Sequence, residues 1–261
     1  MVREKISASL LFGAVIVLGI TVSSTGAHAE PFDKPLQTKV VDLGRSPHLM
    51  PNDDRHIKLT CSYYPKFMIK ELNDPGNKGA LWIALVPAKP GHISACTRTH
   101  GPEDNVFNDL DGHYWDGYFG GVKRDLVFLY DSDGTNGGIP FTVFNSKTYA
   151  KVFRDSVSLL DSHVELHHEI DFVQASDTQM TLRYLRVVTG TCSVPKDGSA
   201  CWNKFKEQLG LRLGPMPKCS DEPGKYARTE PSVIAYPVET SLFPKPSIKA
   251  IDNPVRCYPP S

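Results

Sequence analysis

Six cysteines constrain the fold of this 261-residue chain more than any other feature of its sequence. Their positions are Cys61, Cys96, Cys192, Cys201, Cys219 and Cys257. A structural metal site needs close pairs of the C-x-x-C type, whereas the two nearest cysteines, Cys192 and Cys201, are nine positions apart. An even number of cysteines without close pairs favours three disulfide bonds, provided that the chain folds in an oxidising compartment.

The first 29 residues have the pattern of a signal peptide. Arg3 and Lys5 form a basic start, and the stretch 6–27 that follows contains no charged residue. Small residues at Ala27 and Ala29 match what a signal peptidase accepts, so we expect cleavage after Ala29. An uncleaved membrane anchor is the alternative, but serine, threonine and glycine dilute the second half of the stretch. We therefore expect a periplasmic or secreted protein with no membrane span after cleavage.

The pairing of the cysteines is not determined by the sequence alone. Proximity along the chain favours three local bridges, which are Cys61–Cys96, Cys192–Cys201 and Cys219–Cys257. The first would hold the start of the β region, the second would close a short loop, and the third would tie a proline-rich tail to the body. Each would add ~2–4 kcal/mol, mainly by restricting the unfolded chain.

Composition excludes several classes of protein. The chain has 29 basic and 29 acidic residues, for a formal net charge of +0, and 40% of its residues are hydrophobic. A disordered chain would be poorer in apolar residues and more strongly charged. A dedicated nucleic-acid-binding protein would carry an excess of basic residues. We therefore expect an ordered globular body and no nucleic-acid partner.

Apolar patterning predicts a mainly β fold. Alternation with period two runs through 57–63, and the continuous apolar stretch 81–87 is typical of a central strand covered on both faces. The clearest unit is a three-stranded meander formed by 125–130, 140–145 and 150–154. The sequence predicts an antiparallel β-sandwich or distorted barrel.

The chain divides into four predicted regions. These are a signal peptide (1–29), an extended N-terminal arm (30–55), an antiparallel β domain (56–190) and a Cys/Pro-rich C-terminal region packed on it (191–261). The last region is expected to contain a short helix at about 200–209 that ends at Gly210. Beyond it we expect a disulfide-clipped, proline-rich tail in an irregular conformation.

Carboxylates, an imidazole and aromatic rings are concentrated between 109 and 121. Asp109, Asp111 and Asp116, with His113 among them, are candidate acids for hydrolysis of a glycosidic bond, which needs two carboxylates facing a cleft. Tyr114, Trp115 and Tyr118 are candidate ligand-binding residues, since exposed rings beside carboxylates are typical of sugar-binding clefts. The competing interpretation is a loop that packs its rings under the edge of a sheet.

Two further stretches carry possible metal ligands. Asp131, Asp133 and Asn136 lie in a glycine-rich loop with oxygen ligands of the kind that Ca²⁺ prefers, but the spacing does not match a calcium hand. On a strand through 163–171, His163, His167 and Glu169 would share one face, and His167 with Glu169 could bind Zn²⁺ or Cu²⁺ with a third ligand. A solvated polar face accounts for the same pattern.

The sequence contains no complete motif for covalent or nucleotide chemistry. It has no G-x-S-x-G elbow, no P-loop and no G-x-G-x-x-G after a strand, so we expect no cofactor. The leading hypothesis is an exported, non-enzymatic binding or interaction protein whose ligand is an unidentified protein or carbohydrate. The alternatives are a secreted hydrolase acting on carbohydrate and a periplasmic metal-binding protein.

Overall fold

The computed structural model describes residues 32–109, 111–134, 138–158, 169–176, 178–210, 212–219, 231–251 and 255–258. The predicted signal peptide lies outside these residues. Within them the chain forms two antiparallel sheets and one helix. The prediction of a mainly β, antiparallel fold with a short helix in its C-terminal part is therefore confirmed.

The first sheet has the strand order β1-β2-β3-β4-β5, so each strand pairs with its neighbour in sequence. Its strands are β1 (Gln37–Arg45), β2 (His56–Tyr63), β3 (Phe67–Asn73), β4 (Ala80–Pro87) and β5 (Asn105–Val106). Residues 74–79 join β3 to β4. The continuous apolar stretch at 81–87 is β4, a central strand that is buried on both faces, as expected.

The second sheet has the order β13-β12-β11-β9-β8-β7-β6, with β10 also paired to β11 and β14 to β12. Its strands are β6 (Tyr118–Lys123), β7 (Leu126–Tyr130), β8 (Gly138–Asn145), β9 (Lys151–Ser158), β10 (Ile170–Ala175), β11 (Met180–Thr189), β12 (Val233–Ser241), β13 (Ser247–Ala250) and β14 (Arg256–Tyr258). The predicted meander is β7-β8-β9, and β10 forms a further antiparallel pair with β11.

One apolar core lies between the two sheets. Period-two alternation decides which side chains enter it, because successive residues of a strand point to opposite faces. The residues of this core include Phe67, Ile69, Ile83 and Leu85 from the first sheet and Val122, Val127, Leu129 and Phe144 from the second. The two sheets therefore share buried surface rather than forming separate bodies.

A second core lies on the opposite face of the large sheet. The helix α1 (Val194–Leu209) packs there through Trp202 and Phe205 against residues of β7, β8, β11 and β12. The alternate residues of β7, Leu126, Phe128 and Tyr130, belong to this core. Strand β7 is thus covered on both faces, in agreement with its uninterrupted apolar sequence.

A buried polar network links β9, β11 and β12. The Asp155 carboxylate accepts hydrogen bonds from the Tyr184 hydroxyl (2.5 Å) and from Arg186 Nε (2.8 Å), and Arg186 Nη1 donates to the Tyr236 hydroxyl (2.9 Å). Burial, reinforced by the Asp155 carboxylate, holds the pKa of Tyr184 well above its usual range. The network satisfies the buried charges and fixes the three strands against one another.

All three disulfides follow the pairing that proximity favours. Cys61 is bonded to Cys96, Cys192 to Cys201 and Cys219 to Cys257. The described residues contain no free cysteine.

The C-terminal region differs from the expectation in two ways. The helix begins at Val194 rather than near 200, because Pro195 suits its first turn, and Gly198 interrupts it with a φ of 53°. The expectation of an irregular tail is wrong for β12, which is hydrogen-bonded to β11 on one side and to β13 and β14 on the other. The prolines around this strand concealed its apolar alternation.

Candidate functional site

A cavity of about 650 Å³ lies at the end of the first sheet where β2 turns into β3. We call it the apolar groove, and the larger apolar side chains of its lining are Leu36, Tyr63, Tyr64, Phe67, Met68 and Ile93. Its volume falls within the range of small-molecule sites, about 300–1,000 Å³. Three residues of this lining, Tyr64, Phe67 and Met68, are buried, and we call them the floor of the groove.

Backbone hydrogen bonds place these side chains together. The Leu36 amide donates to the Tyr63 carbonyl (2.7 Å), which brings the residues before β1 against the end of β2. The Tyr64 amide donates to Phe67 O (2.8 Å) and closes the turn that carries both rings. The Ala88 amide donates to Lys66 O (2.9 Å), so the chain leaving β4 runs beside the same turn.

Two apolar side chains stand exposed at the edges of the groove. Leu36 is 73% exposed and Ile93 is 77% exposed. Exposed aliphatic side chains beside an apolar cavity are typical of a binding surface rather than of a closed core. A ligand in the groove would remove both from water.

A second cavity of about 340 Å³ lies beside the first. The residues that line both are Leu36, Tyr64, Pro65, Lys66 and Phe67. Burial, with a smaller contribution from the Asp33 carboxylate, raises the pKa of Tyr64 to about 12. At ordinary pH Tyr64 is therefore neutral and presents a largely apolar ring to both cavities.

The rim of the larger cavity carries basic side chains. Its lining includes Lys66, Lys89 and His92 and no acidic residue. Lys66 pairs with Asp125 (2.9 Å) and Lys89 with Glu103 (2.6 Å), and all of these except Asp125 are more than half exposed. Exposed pairs of this kind contribute about 0–1 kcal/mol, so they do not prevent either lysine from binding an anion.

One wall of the groove belongs to the loop at 88–104, which a disulfide and three polar contacts hold to the sheet. Cys96 is bonded to Cys61 of β2, and the Tyr63 hydroxyl donates to Ser94 O (3.1 Å). Farther along, Lys70 Nζ lies 2.9 Å from Asp104 Oδ2, with both side chains less than 7% exposed. Lys70 Nζ also donates to Thr99 O (3.3 Å).

Lys70 belongs to a polar cavity of about 320 Å³ beneath this loop. His100 lies in the same cavity with its ring 4.1 Å from that of Trp82, and burial lowers the pKa of His100. The sequence interpretation missed both this cavity and the apolar groove. Neither corresponds to a short motif, because their residues come from stretches that only strand pairing brings together.

Three of the four residues of the predicted acid cluster, Asp109, Asp111 and His113, come together at the tip of a small hairpin between β5 and β6, whereas Asp116 is not part of this group. Ligand atoms of Asp109, Asp111 and His113 all lie within 4.8 Å of one another. Asp109 Oδ1 accepts from the backbone amides of Asp111 (2.8 Å) and His113 (2.9 Å), so this carboxylate also stabilises the turn. Partial desolvation raises the pKa of Asp109, but these hydrogen bonds lower it by more.

The three aromatic residues predicted to bind a ligand occupy different environments. Trp115 is buried, and its Nε1 donates to Tyr130 O (3.0 Å), so its ring forms part of the core between the sheets. Tyr114 is 56% exposed and lies near His100. Tyr118 is half-buried and lines a separate cavity beside His56 and Asn73. The rings do not form one platform.

The possible calcium ligands are already paired with cations. Asp131 lies 2.7 Å from Arg154, and Asp133 lies 2.6 Å from Lys78, while Asn136 falls outside the described residues. Burial raises the pKa of Asp131, and the carboxylates of Asp116 and Asp109 add to this effect. The hydrogen bond from Lys78 lowers the pKa of Asp133.

The possible zinc or copper site lies mostly outside the described residues. His163 and His167 are in the undescribed stretch 159–168, and Glu169 is half-buried just before β10. Glu169 contributes, after burial itself, to raising the pKa of Tyr130 above its usual range.

No helix among the described residues is long and apolar enough to cross a lipid bilayer. Comparison with known proteins gave no match to a family model, to a curated protein or to a solved structure.

Proposed function

We propose that this chain is an exported, disulfide-stabilised protein that binds an apolar ligand in the apolar groove and performs no chemistry on it. The observation that carries the proposal is the groove itself, a cavity of about 650 Å³ with a buried aromatic floor and two exposed aliphatic edges. Aromatic and aliphatic side chains bind a ligand by removing apolar surface from water, at about 25 cal/mol per Å².

Export is supported by two independent features. The first 29 residues have the charge, apolar and cleavage pattern of a signal peptide, with cleavage proposed after Ala29. The three disulfides are typical of proteins that fold in an oxidising compartment, such as a periplasm or the extracellular space.

A neutral fluorescent dye, N-phenyl-1-naphthylamine, tests binding directly. We expect saturable fluorescence enhancement with the mature protein, and at least about tenfold weaker binding by the double variant Leu36→Ser/Ile93→Ser, because each lost side chain removes ~1.5–3 kcal/mol of apolar contact. Both residues are exposed, so the variant is expected to fold.

Met50→Ser/Val173→Ser is the matched control, since it removes two exposed apolar side chains that do not line the groove. It is expected to bind the dye like the unmodified protein. Absence of dye binding, or equal loss in both double variants, would contradict a ligand site in the groove.

A second candidate function is hydrolysis of a carbohydrate near the hairpin that carries Asp109. The observation that favours it is the contrast between Asp131, whose pKa is raised, and Asp109, whose pKa is lowered, since acid and base roles need carboxyls with different pKa values. Asp131→Asn and Asp109→Asn would then each reduce turnover of a glycoside panel at least about 100-fold, whereas Asp133→Asn would not. Equal activity in all three variants would exclude this candidate.

A further inference from the structure

The charged rim suggests what kind of ligand the apolar groove accepts. Lys66 lies in the turn after β2, and its carbonyl accepts the hydrogen bond of Ala88, next to Lys89. The His92 amide donates to Lys89 O (3.1 Å), which closes a tight turn. The three basic residues are therefore attached where the turn after β2 meets the 88–104 loop, on a lining that is otherwise mostly apolar and contains no acidic residue.

We infer that the ligand is a single-chain fatty acid, whose alkyl chain occupies the apolar groove and whose carboxylate binds Lys66 and Lys89. This inference rests on the proposed function and adds the chemical class of the ligand. The lining has two lysines and one histidine and no acidic side chain, so its charge is complementary to a carboxylate. A fully neutral ligand would make no use of this charge.

Both lysines can change partner at little cost. Asp125, the partner of Lys66, is also bound by Lys147 at 2.6 Å, so it keeps a cation when Lys66 turns towards a ligand. Lys89 and Glu103 are both more than half exposed, so Glu103 returns to water when Lys89 leaves it. The lysines are thus available, while the aromatic floor stays fixed by burial.

The alkyl chain has a defined place to bind. Tyr64, Phe67 and Met68 are buried residues of the floor, and Leu36 and Ile93 are exposed aliphatic residues of the same lining. Because Leu36, Tyr64 and Phe67 also line the neighbouring cavity of about 340 Å³, a longer chain can extend past Leu36 into that space. Chain length and head-group charge are therefore separate determinants of affinity.

Decanoate, decanol and decyltrimethylammonium share an alkyl chain and differ in head-group charge. In displacement of N-phenyl-1-naphthylamine at low salt, we expect decanoate to bind about tenfold more tightly than decanol, and the cation to bind most weakly. Added salt is expected to reduce the preference for decanoate, because the lysines and the carboxylate are solvent-accessible.

Lys66→Gln/Lys89→Gln is expected to lower decanoate affinity to that of decanol without changing decanol binding. Lys204→Gln/Lys249→Gln, which removes two exposed lysines on α1 and β13, is the matched control and is expected to retain the preference. Both double variants lower the net charge equally, so a general effect of charge would appear in both.

The outcomes separate this inference from the proposed function. The fatty-acid inference is overturned if the dye binds but decanoate binds no more tightly than decanol. It is also overturned if decanoate fails to displace the dye. In both cases the groove remains a binding site. If the dye does not bind at all, the proposed function fails as well. Equal loss of the preference in both lysine variants would also overturn the inference.

Discussion

Lys70 is an ammonium group placed among apolar side chains. In the sheet it pairs with Cys61 on one side and Ala84 on the other, and both neighbours belong to the apolar outer face of the first sheet. Taking a lysine out of water is unfavourable by several kcal/mol unless an opposite charge compensates it. Asp104 supplies that charge from the far end of the 88–104 loop.

Removal of one partner of this pair is expected to be more destabilising than removal of both. Asp104→Ala leaves the Lys70 ammonium buried without its counter-charge and is expected to lower the free energy of unfolding by about 3–5 kcal/mol. Lys70→Met/Asp104→Leu replaces the pair by apolar side chains and is expected to be far less destabilising. Urea unfolding of the two variants measures the difference, and equal losses would mean that the pair is not effectively buried.

Tyr64 gives the stability a dependence on alkaline pH. Its pKa in the folded protein is about 12, against an ordinary value of 10.0. The folded state therefore holds this proton more tightly than the unfolded state, so the stabilisation is complete below pH 10 and is lost as the pH rises towards 12.

Tyr64→Phe keeps the ring and removes the titrating group. Between pH 9 and pH 11 the unmodified protein is expected to lose roughly 1 kcal/mol more stability than this variant. Unfolding in urea at the two pH values measures this difference, and the other tyrosines cancel because both proteins contain them. If both proteins lost the same unfolding free energy between the two pH values, the Tyr64 hydroxyl would be solvated in the folded state.

At the scale of elements, the 88–104 loop has no regular structure of its own and depends on its attachments to the first sheet. The disulfide to Cys61 lies a few residues after the part of the loop that lines the apolar groove. The wall formed by Ala88–Ser94 is therefore held at its start by the ladder between β3 and β4 and at its end by the bridge.

Removing the Cys61–Cys96 bridge is expected to weaken both stability and binding. With a sequence separation of 35, Cys61→Ala/Cys96→Ala is expected to lower the free energy of unfolding by about 4 kcal/mol. Binding of the neutral dye is expected to weaken as well, since one wall of the groove is released. Calorimetry and dye titration measure the two effects.

Cys192→Ala/Cys201→Ala is a close control, because each pair contains one fully buried and one half-buried cysteine. Its sequence separation is 9, so a smaller loss of about 2.5 kcal/mol is expected. Dye affinity is expected to be unchanged in this variant. Weakened binding in both variants would mean that the wall does not depend on the bridge.

The sequence was informative for strands that have a regular apolar pattern. Alternation at 57–63 and the apolar stretch at 81–87 predicted β2 and β4, and the sequence distances between cysteines favoured the observed pairing. Strand β12 was not predicted from the sequence, because Pro237 lies within its apolar pattern and further prolines surround it. Pro237 is tolerated there because β13 and β14 pair with other parts of the strand, on either side of it.

The candidate site was less accessible to sequence reasoning than the fold. Leu36, Tyr64 and Ile93 are each unremarkable in the sequence, and their proximity depends on strand register and on one disulfide. Lys70 between Ile69 and Glu71 has the appearance of an exposed strand residue, because its partner Asp104 is 34 positions away. The acid cluster was found because its members are neighbours in sequence.

At the scale of the whole molecule, the core between the sheets makes the two sheets interdependent. Trp115 lies in that core, Trp82 lies on the outer face of the first sheet, and Trp202 lies between α1 and the large sheet. Loss of either sheet would expose residues of the shared core, so neither sheet has a complete core of its own. Unfolding is therefore expected to be a single cooperative event.

The three tryptophans, which are all that the chain contains, report separately on this cooperativity. In three variants that each keep one tryptophan and have phenylalanine at the other two positions, the fluorescence transition and the far-UV circular dichroism transition are expected to coincide. A Trp82 transition at lower urea than the circular dichroism transition would mean that the first sheet unfolds by itself. The comparison is made within each variant, because the variants differ in stability.

The position of β12 also determines when the protein can finish folding as it leaves the ribosome or a translocation channel. Residues Val233–Ser241 come from the last thirty of the chain, yet they pair along the whole of β11 and close the core around α1. The first sheet can assemble and oxidise early, whereas the large sheet keeps an open edge at β11 until β12 arrives. The disulfide of Cys219 likewise cannot form until Cys257 has emerged. The nascent chain thus exposes an unpaired apolar strand edge from the emergence of β11 until that of β12, which is the interval in which a chaperone would protect it.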